Sequence, residues 1–223
     1  MNSISFFVCG ITSGLGSSVA HQAALHSFNV FGSSRSAEKV QSTKSDLISD
    51  LNISIGDPAD PVFWNSDNLS LHQFSQTSSD VHVILISTGF CNYESVFELT
   101  PELLQKYMEA HTYPLLNSLK FAKHNLAHQK NVLILSINSS IISDQDFNID
   151  CAGYQISKSA LHGLCKSTEA DCWNTNISMH SFYPGNYKTN LWPNEYGIPG
   201  DAEDPEKFGL EVAQFALKFV KDL

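Results

Sequence analysis

The alternation of strand-like and helix-like segments predicts a doubly wound α/β fold, in which helices cover both faces of a parallel sheet. Apolar runs of strand length recur along the 223 residues, and the segments between them have helical spacing of apolar residues. The runs are continuously apolar rather than alternating, which is typical of strands buried on both faces. No composition shift, repeat or linker divides the chain. We therefore expect about six parallel strands in a single domain that spans residues 1–223.

The runs that predict the strands are, in chain order, Ile4 to Val8, Asn29 to Gly32, Ile53 to Ile55, Val81 to Ser87, Val132 to Ile137 and Ile177 to Phe182. Two helices are clearest. One extends from Thr100, which can cap, through Pro101, which suits a first turn, to about Ala127. The other extends from Tyr154 to about Trp173.

Composition and charge exclude several classes of protein. Hydrophobic residues make up 42% and aromatic residues 11%, which is typical of a folded protein. The net charge of -10 and the lack of a basic stripe argue against nucleic acid or an anionic membrane as partner. No signal peptide or run of 18 apolar residues is found, and the five cysteines form no CxxC pair. We expect a cytoplasmic protein with reduced thiols.

A glycine-rich turn follows the first strand directly. The segment CGITSGLG places Gly10, Gly14 and Gly16 before the apolar face of a helix. Such glycines permit the turn, let backbone approach a pyrophosphate and let the helix pack on the strand, while the helix N-terminus supplies unpaired N–H groups. This arrangement predicts a dinucleotide cofactor. The turn residues expected to share in the contact are Thr12, Ser13 and Leu15.

The end of the second strand is where such a fold meets the adenosine ribose. An acidic residue there would hydrogen-bond a free 2′-hydroxyl, whereas arginine would pair with a 2′-phosphate. This chain has Ser34 and Arg35, and Arg35 is its only arginine. An ordinary exposed charge is the alternative interpretation. The pattern favours NADP over NAD.

Tyr154 and Lys158 form a candidate catalytic pair. Their i, i+4 spacing places both side chains on one face of the predicted helix. A free tyrosine has a pKa of about 10, so easy proton exchange at neutral pH needs a neighbouring cation. The helix follows the fifth strand, whose C-terminal end carries Ser139 and Ser140, and open α/β sheets bind their ligands at the carboxyl ends of the strands.

Six features occur in a fixed order along nearly the whole chain. They are CGITSGLG, Asp57 after the third strand, LTPELLQKYMEAHTYPLLNSLKFA, a serine ending the fifth strand, Tyr154 with Lys158, and YPGNYKT. In this combination the chain resembles the short-chain dehydrogenase/reductase family. The resemblance implies a Rossmann-like fold and hydride transfer between a nicotinamide cofactor and a small carbonyl or alcohol.

The resemblance also implies a role for each matching residue. Tyr154 would be the acid/base, Lys158 would lower its pKa and bind the nicotinamide ribose, and a serine would hold the carbonyl oxygen. Aligning LILSINSS gives that place to Ser139, although a longer gap to the tyrosine keeps Ser140 open. The cofactor contacts implied are Gly10, Gly14 and Gly16 with the pyrophosphate, Asp57 with the adenine, Gly89 beside the cofactor, and Pro184, Gly185 and Thr189 near the carboxamide.

Three departures from the family's pattern bear on the site. Cys9 stands where threonine is usual, which is expected to alter only a local hydrogen bond. The family's Asn-Asn-Ala-Gly becomes Ile86-Ser-Thr-Gly89, so a polar side chain that braces the sheet is expected to be missing. His111 stands where a catalytic asparagine is usual.

His111 admits three interpretations. In the family the asparagine acts largely through its main-chain carbonyl, so a histidine in the same backbone geometry is a tolerated replacement. In the second interpretation the imidazole titrates near neutrality and joins the proton path. In the third, the proton relay is lost and activity with it.

These features favour an NADP-dependent carbonyl reductase or alcohol dehydrogenase that acts on a small molecule. The rivals are a dinucleotide-sensing protein of weak activity, which Ile86 and His111 make conceivable, and a dehydratase or epimerase with the same Tyr/Lys pair. No metal site is expected, because His124 and His128 lack a third ligand. The loop aromatics that are candidates for a substrate pocket are Phe90, Tyr93, Phe147, Tyr187, Trp192 and Tyr196.

The last predicted helix, DPEKFGLEVAQFALKFVKDL, ends at Leu223, where members of the family commonly continue into a seventh strand. We therefore expect that strand to be missing, and a sheet of six strands. The two long helices from Thr100 and Tyr154 are predicted to form a closed two-fold homodimer rather than a four-subunit assembly.

Overall fold

A computed structural model of the chain describes residues 3–40, 52–64, 68–142, 150–192 and 197–223. The strands are β1 (Ile4–Cys9), β2 (Asn29–Ser34), β3 (Asn52–Ile55), β4 (Val81–Ile86), β5 (Val132–Ile137) and β6 (Ile177–Phe182). They form one six-stranded sheet in the order β3-β2-β1-β4-β5-β6, and every neighbouring pair is parallel. This architecture confirms the predicted doubly wound α/β fold.

Six helices of eight or more residues connect and cover the strands within the described ranges. They are α1 (Gly14–Leu25), α2 (Leu69–Gln76), α3 (Pro101–His111), α4 (Tyr113–Asn125), α5 (Ala152–Asp171) and α6 (Pro205–Lys221). None of these helices combines the length and the apolar content that crossing a bilayer requires.

Two apolar cores lie on opposite faces of the sheet. Successive side chains of a strand point to opposite faces, so Phe6 and Val8 of β1 pack in the core that contains α1 and α6. Phe7 and Cys9 pack in the core that contains α2, α4 and α5. Every residue of β1, β4 and β5 is buried, which explains why these strands are apolar without alternation.

The long helix predicted from Thr100 is two helices. Thr100 caps as predicted, because its hydroxyl accepts a backbone N–H at 3.2 Å. The first helix ends at His111 because Pro114, in the first turn of α4, has no N–H to give to the Ala110 carbonyl. The Thr88 hydroxyl donates to that carbonyl instead, at 2.6 Å. The break therefore ties the loop after β4 to the end of α3.

The chain order of the strands reverses at β1, which lies between β2 and β4. In open α/β sheets such a reversal leaves a crevice outside the carboxyl ends of the two strands. The glycine-rich turn after β1 and the loop after β4 border this crevice. The loops after β5 and β6 end at the same edge because all the strands are parallel.

Candidate active site

Two adjoining cavities lie in the crevice. One has a volume of about 150 Å³, and the predicted site residues that line it are Ser13, Gly14, Leu15, Gly89, His111, Ser139, Tyr154, Lys158, Pro184, Gly185 and Thr189. The other has a volume of about 260 Å³, and the predicted residues that line it are Gly10, Thr12, Ser13, Ser34, Arg35 and Gly89. The structure therefore brings most of the predicted residues to one crevice. Gly16, Asp57 and Ser140 line neither cavity.

The glycines of the first turn are required for two different physical reasons. Gly10 and Gly14 have φ angles of 84° and 57°, in the left-handed region that favours glycine. Gly16 is restricted by space, because a Cβ at this position would collide with the Gly10 carbonyl. The close contact lets α1 begin directly at the crevice, where its first backbone N–H groups have no partner within the helix.

Ser87 braces the sheet, although the sequence predicts that the family's bracing side chain is missing. It directly follows β4, and its hydroxyl donates a short hydrogen bond to the Cys9 carbonyl. Its backbone N–H donates to the same carbonyl at 3.2 Å. The expectation that replacing the family's asparagine by Ile86 leaves the sheet unbraced is therefore corrected, since the next residue ties β4 to the glycine turn.

The cavity at the end of β2 carries two cations. Arg35 lines it as predicted, and so does Lys39, which the sequence analysis missed. The i, i+4 spacing of the two residues was the available signal. The Ser34 hydroxyl is within 2.9 Å of the Thr12 hydroxyl, so β2 and the glycine turn are linked at the same point.

Ser139, Tyr154 and Lys158 meet in the other cavity. Ser139 is the second residue after β5, and its hydroxyl lies close enough to the Tyr154 hydroxyl to act on the tyrosine pKa as a hydrogen-bonding partner. The Lys158 ammonium donates to the Ile137 carbonyl at 2.8 Å and lies 5.6 Å from the centre of the Tyr154 ring. Ser140 is elsewhere, with its backbone N–H donating to the Pro184 carbonyl at 3.2 Å. This geometry favours Ser139 over Ser140 as the serine beside the tyrosine.

Burial dominates the electrostatics of the pair. It raises the pKa of Tyr154 above the ordinary value of 10.0, and the hydrogen bond with Ser139 opposes this in part. Burial also lowers the pKa of Lys158, to about 8, so this side chain is mostly charged at pH 7. The lowering of the tyrosine pKa that the family implies is not seen in the protein alone. The Tyr154 hydroxyl therefore keeps its proton near neutral pH, next to a buried cation.

His111 is fully buried at the end of α3, and both of its ring nitrogens have partners. The backbone N–H of Phe90 donates to Nε2 at 3.2 Å, so the ring proton is assigned to Nδ1, which lies 2.7 Å from the Ser157 hydroxyl. Burial, with the charge of Lys158, lowers the pKa of His111 well below 6.5. The ring meets Tyr154 edge-on, at 5.3 Å between centres. A neutral, hydrogen-bonded imidazole does not fit the interpretation in which it titrates near neutrality.

Two further predicted contacts differ in outcome. Thr189 approaches the glycine turn, since a Cβ at Gly14 would lie 3.6 Å from the Thr189 Cβ. Asp57 follows β3, but its carboxylate accepts the Ala59 N–H at 3.0 Å and it lines a separate cavity beside α4. Pro58, the next residue, lines the cavity that contains Arg35 and Lys39 instead. An adenine contact of Asp57 stays a prediction.

A larger opening of about 610 Å³ adjoins the cavity that contains Tyr154 and Lys158, here called the catalytic cavity, and residues 189–192 border both. Its other walls are residues 90–92, from the loop after β4, and Ile198. Of the aromatic residues proposed for a substrate pocket, Phe90 and Trp192 line this opening and Tyr187 lines the catalytic cavity. Tyr93 lines neither, and Phe147 and Tyr196 lie outside the described residues.

Within the described ranges, no group of three or more His, Cys, Asp or Glu side chains is placed to hold an ion. The groups that the crevice does bring together are a hydroxyl pair, a buried ammonium and a glycine turn.

Comparison with known proteins gives the same assignment by an independent route. A model of the short chain dehydrogenase family matches residues 5–196. No curated protein matches the chain. Similar solved structures include a dehydrogenase/reductase from Sinorhizobium meliloti 1021, 20% identical with a TM-score of 0.80, which covers 97% of this chain and 88% of that one. An alcohol dehydrogenase from the archaeon Thermococcus sibiricus is 18% identical with a TM-score of 0.76, covering 97% and 91%.

A variant of actinorhodin polyketide ketoreductase is similar to the same extent, at 18% identity and a TM-score of 0.80, with 96% of this chain and 91% of that one covered. At these identities the likeness of the structures concerns the fold. The family model, in contrast, covers most of the chain by sequence. Together with the parallel sheet and the glycine turn, this match places the protein in the short-chain dehydrogenase family of oxidoreductases.

Proposed function

We propose that the protein is an NADP-dependent carbonyl reductase or alcohol dehydrogenase for a small-molecule substrate. The observation that carries this proposal is the meeting of Ser139, Tyr154 and Lys158 in one cavity that adjoins the glycine turn. A hydroxyl donor, its hydrogen-bonded partner and a buried cation are the groups that proton transfer to a carbonyl oxygen needs.

The residues of the crevice fit a dinucleotide phosphate. The left-handed turn at Gly10 and Gly14 and the N-terminus of α1, which has no side-chain cap, suit a pyrophosphate. Arg35 and Lys39 supply two positive charges where a 2′-phosphate would lie, and no acidic residue of the described ranges lines that cavity. Two similar structures were solved with such cofactors, the alcohol dehydrogenase with 5-hydroxy-NADP and the ketoreductase with NADPH.

The chain's own residues would handle the oxygen and its proton. Bound NADPH supplies the hydride for the carbonyl carbon. Ser139 holds the carbonyl oxygen, and the Tyr154 hydroxyl donates its proton to that oxygen as negative charge develops there. In the direction of alcohol oxidation, the same tyrosine oxygen accepts the proton.

Lys158 stabilises the tyrosine as it loses its proton. The ammonium is 4% exposed and is fixed by the Ile137 carbonyl, so its charge acts across a region of low dielectric constant. Burial raises the pKa of Tyr154 and so favours the protonated tyrosine. A neighbouring positive charge favours the ionised form, which would develop as the proton leaves. The opposed effects suit a group that must both give and take a proton.

A cofactor and substrate screen with matched variants tests the proposal. NADPH and NADH are offered with a panel of aldehydes, ketones and alcohols, and the absorbance of the reduced nicotinamide is followed. Tyr154→Phe should lower turnover by about 10²- to 10⁴-fold, as expected for loss of a general acid, with NADPH affinity nearly unchanged. The control is Tyr183→Phe. The Tyr183 hydroxyl hydrogen-bonds with His162 at 2.7 Å, and Tyr183 lines neither of the two cavities in the crevice.

The alternatives give different results. Full activity of Tyr154→Phe would remove Tyr154 from the mechanism. Tight NADPH binding without turnover of any substrate would identify a sensing protein. Product formation without a net change in nicotinamide absorbance would identify a dehydratase or epimerase.

A further inference from the structure

Two cysteines from different segments meet at the substrate side of the site. Cys91 lies in the loop after β4, and Cys151 directly precedes α5. Both pack in one apolar cluster with Tyr107 and Tyr154, and the two thiols are close enough for each to shift the pKa of the other. The pair thus joins the loop after β4, here called the substrate loop, to the start of the helix that carries Tyr154.

Glu94 holds the backbone around this pair. It pairs with Cys151 in an isolated parallel bridge, and its carbonyl accepts the Ala152 N–H at 3.1 Å. Its carboxylate accepts the Gly153 N–H at 2.8 Å and the Tyr107 hydroxyl at 2.9 Å. Because these bonds do not involve sulfur, they hold the start of α5 against the segment that follows Cys91 whatever the state of the thiols.

The opening beside the catalytic cavity gives access to the pair. Cys91 lines this opening and is partly exposed, whereas Cys151 is 4% exposed and lies behind it. A reagent as small as a peroxide that enters the opening meets Cys91 at its wall, in the same apolar cluster as Cys151. The other three cysteines, Cys9, Cys165 and Cys172, do not line the opening.

The two thiols differ in acidity. Their shared hydrogen bond lowers the pKa of Cys151, while the same bond and burial raise the pKa of Cys91. The carboxylates of Glu94 and Asp150 face Cys151 and oppose its ionisation, whereas the N-terminus of α5 favours it. These directions favour Cys151 as the thiol that ionises, with Cys91 as the thiol that resolves the sulfenic acid.

We propose that Cys91 and Cys151 form a redox-sensitive pair that a hydroperoxide converts into a disulfide, and that this disulfide slows turnover. The Cys151 sulfur attacks the terminal peroxide oxygen, the O–O bond breaks, and an alcohol or water leaves as a sulfenic acid forms. The Cys91 sulfur then attacks the sulfenic sulfur, so that the S–S bond forms and the S–O bond breaks. The hydroxyl leaves with the Cys91 proton as water. The thiols lose two electrons and two protons, and the peroxide gains them.

The disulfide would lie at the substrate side and leave the adenosine side untouched. Phe90, next to Cys91, donates its backbone N–H to His111, and Tyr154 follows Cys151 by three residues. A covalent link here restrains the loop and the start of α5 together, beside the reacting hydroxyl. We expect a severalfold loss of turnover with unchanged NADPH affinity. This second effect rests on the proposed function, whereas disulfide formation does not.

The experiment treats the whole protein with hydrogen peroxide and follows intact mass, peptide maps without reductant, NADPH binding and turnover. The protein should lose the mass of two hydrogen atoms, yield a Cys91–Cys151 linked peptide and recover with dithiothreitol. In Cys91→Ser, the sulfenic acid on Cys151 has no resolving thiol and should be trapped by dimedone. Cys151→Ser keeps a favoured residue at the helix start and should resist the same peroxide concentration. Cys172→Ser, changed at the other end of α5, should behave as the unmodified protein.

Three results would overturn these inferences separately. A protein that stays reduced, or that links other cysteines, contradicts the redox pair. Equal turnover of the reduced and oxidised protein contradicts the effect on activity. A reduced protein without any turnover contradicts the proposed function, while the mass measurement still decides whether the disulfide forms.

Discussion

Replacing His111 by asparagine should destabilise the fold and leave the proton chemistry in place. An asparagine is too short to reach both the Phe90 N–H and the Ser157 hydroxyl, which the imidazole nitrogens contact at 3.2 and 2.7 Å. A lost neutral hydrogen bond costs about 0.5–1.5 kcal/mol, and a buried donor left without a partner costs about 1–3 kcal/mol. We expect His111→Asn to lower the free energy of unfolding by about 2–4 kcal/mol at pH 7.5.

The same substitution should reduce the sensitivity of the fold to acid. The pKa of His111 is lowered well below 6.5 in the folded protein, so the unfolded state binds a proton that the folded state excludes. The unfolded state therefore becomes more stable relative to the folded state as the pH falls below about 6.5. The change is about 1.4 kcal/mol for one such group between pH 7.5 and pH 5.5. Asparagine has no such proton. The destabilisation caused by His111→Asn should accordingly be about 1.4 kcal/mol smaller at pH 5.5 than at pH 7.5.

Urea unfolding at both pH values, followed by tryptophan fluorescence, measures these differences. His72→Asn is the matched control, because His72 is exposed on α2 and should change the free energy of unfolding by less than about 0.5 kcal/mol. Other buried histidines such as His82 titrate in both proteins and cancel in the comparison. Equal destabilisation at the two pH values would refute the neutral, buried imidazole. A pH–rate profile that loses an ionisation near pH 6.5 would place His111 in the proton path after all.

Two further predictions concern the cofactor and the assembly. Arg35→Ala should weaken the binding of NADPH by about 1.5–3 kcal/mol, the value of a hydrogen bond to a charged group, and the binding of NADH far less. Lys39→Ala should change binding in the same direction. Lys130→Ala is the control, because Lys130 does not line the cavity. Equal losses for NADPH and NADH would contradict the phosphate assignment. A homodimer through α3, α4 and α5, where Leu116 and Ile156 are exposed, should give a scattering mass of twice 24.6 kDa, whereas a fourfold mass would show that a second interface forms.

The sequence predicted the sheet well because its strands are buried on both faces. In β1, β4 and β5 every residue is buried, so the apolar run and the strand coincide within one residue. The glycine turn was equally legible, since the φ angles at Gly10 and Gly14 exclude most other residues at low energy. Features that depend on one local constraint, such as burial of a strand or a left-handed turn, can therefore be predicted from a single sequence.

Features that depend on two distant segments were not predictable in the same way. The helix break at Pro114 is a local effect, yet the Thr88 hydroxyl that accompanies it comes from the loop after β4. Ser87 replaces the missing brace through a bond to Cys9 that no spacing rule encodes. Cys91 and Cys151 are sixty residues apart and meet only because parallel strands bring their following loops to one edge.

The packing around His111 explains how the chain accommodates a histidine where its family usually has asparagine. A Cβ at Gly89 would lie 2.6 Å from the His111 Nε2, so the glycine makes room for the ring. The Ser157 hydroxyl that faces Nδ1 donates onward to the Tyr154 carbonyl at 2.9 Å. The imidazole thus connects the Phe90 backbone to the turn of α5 that presents the tyrosine. Because both nitrogens serve this connection, the ring positions the loop after β4 against the helix that carries Tyr154.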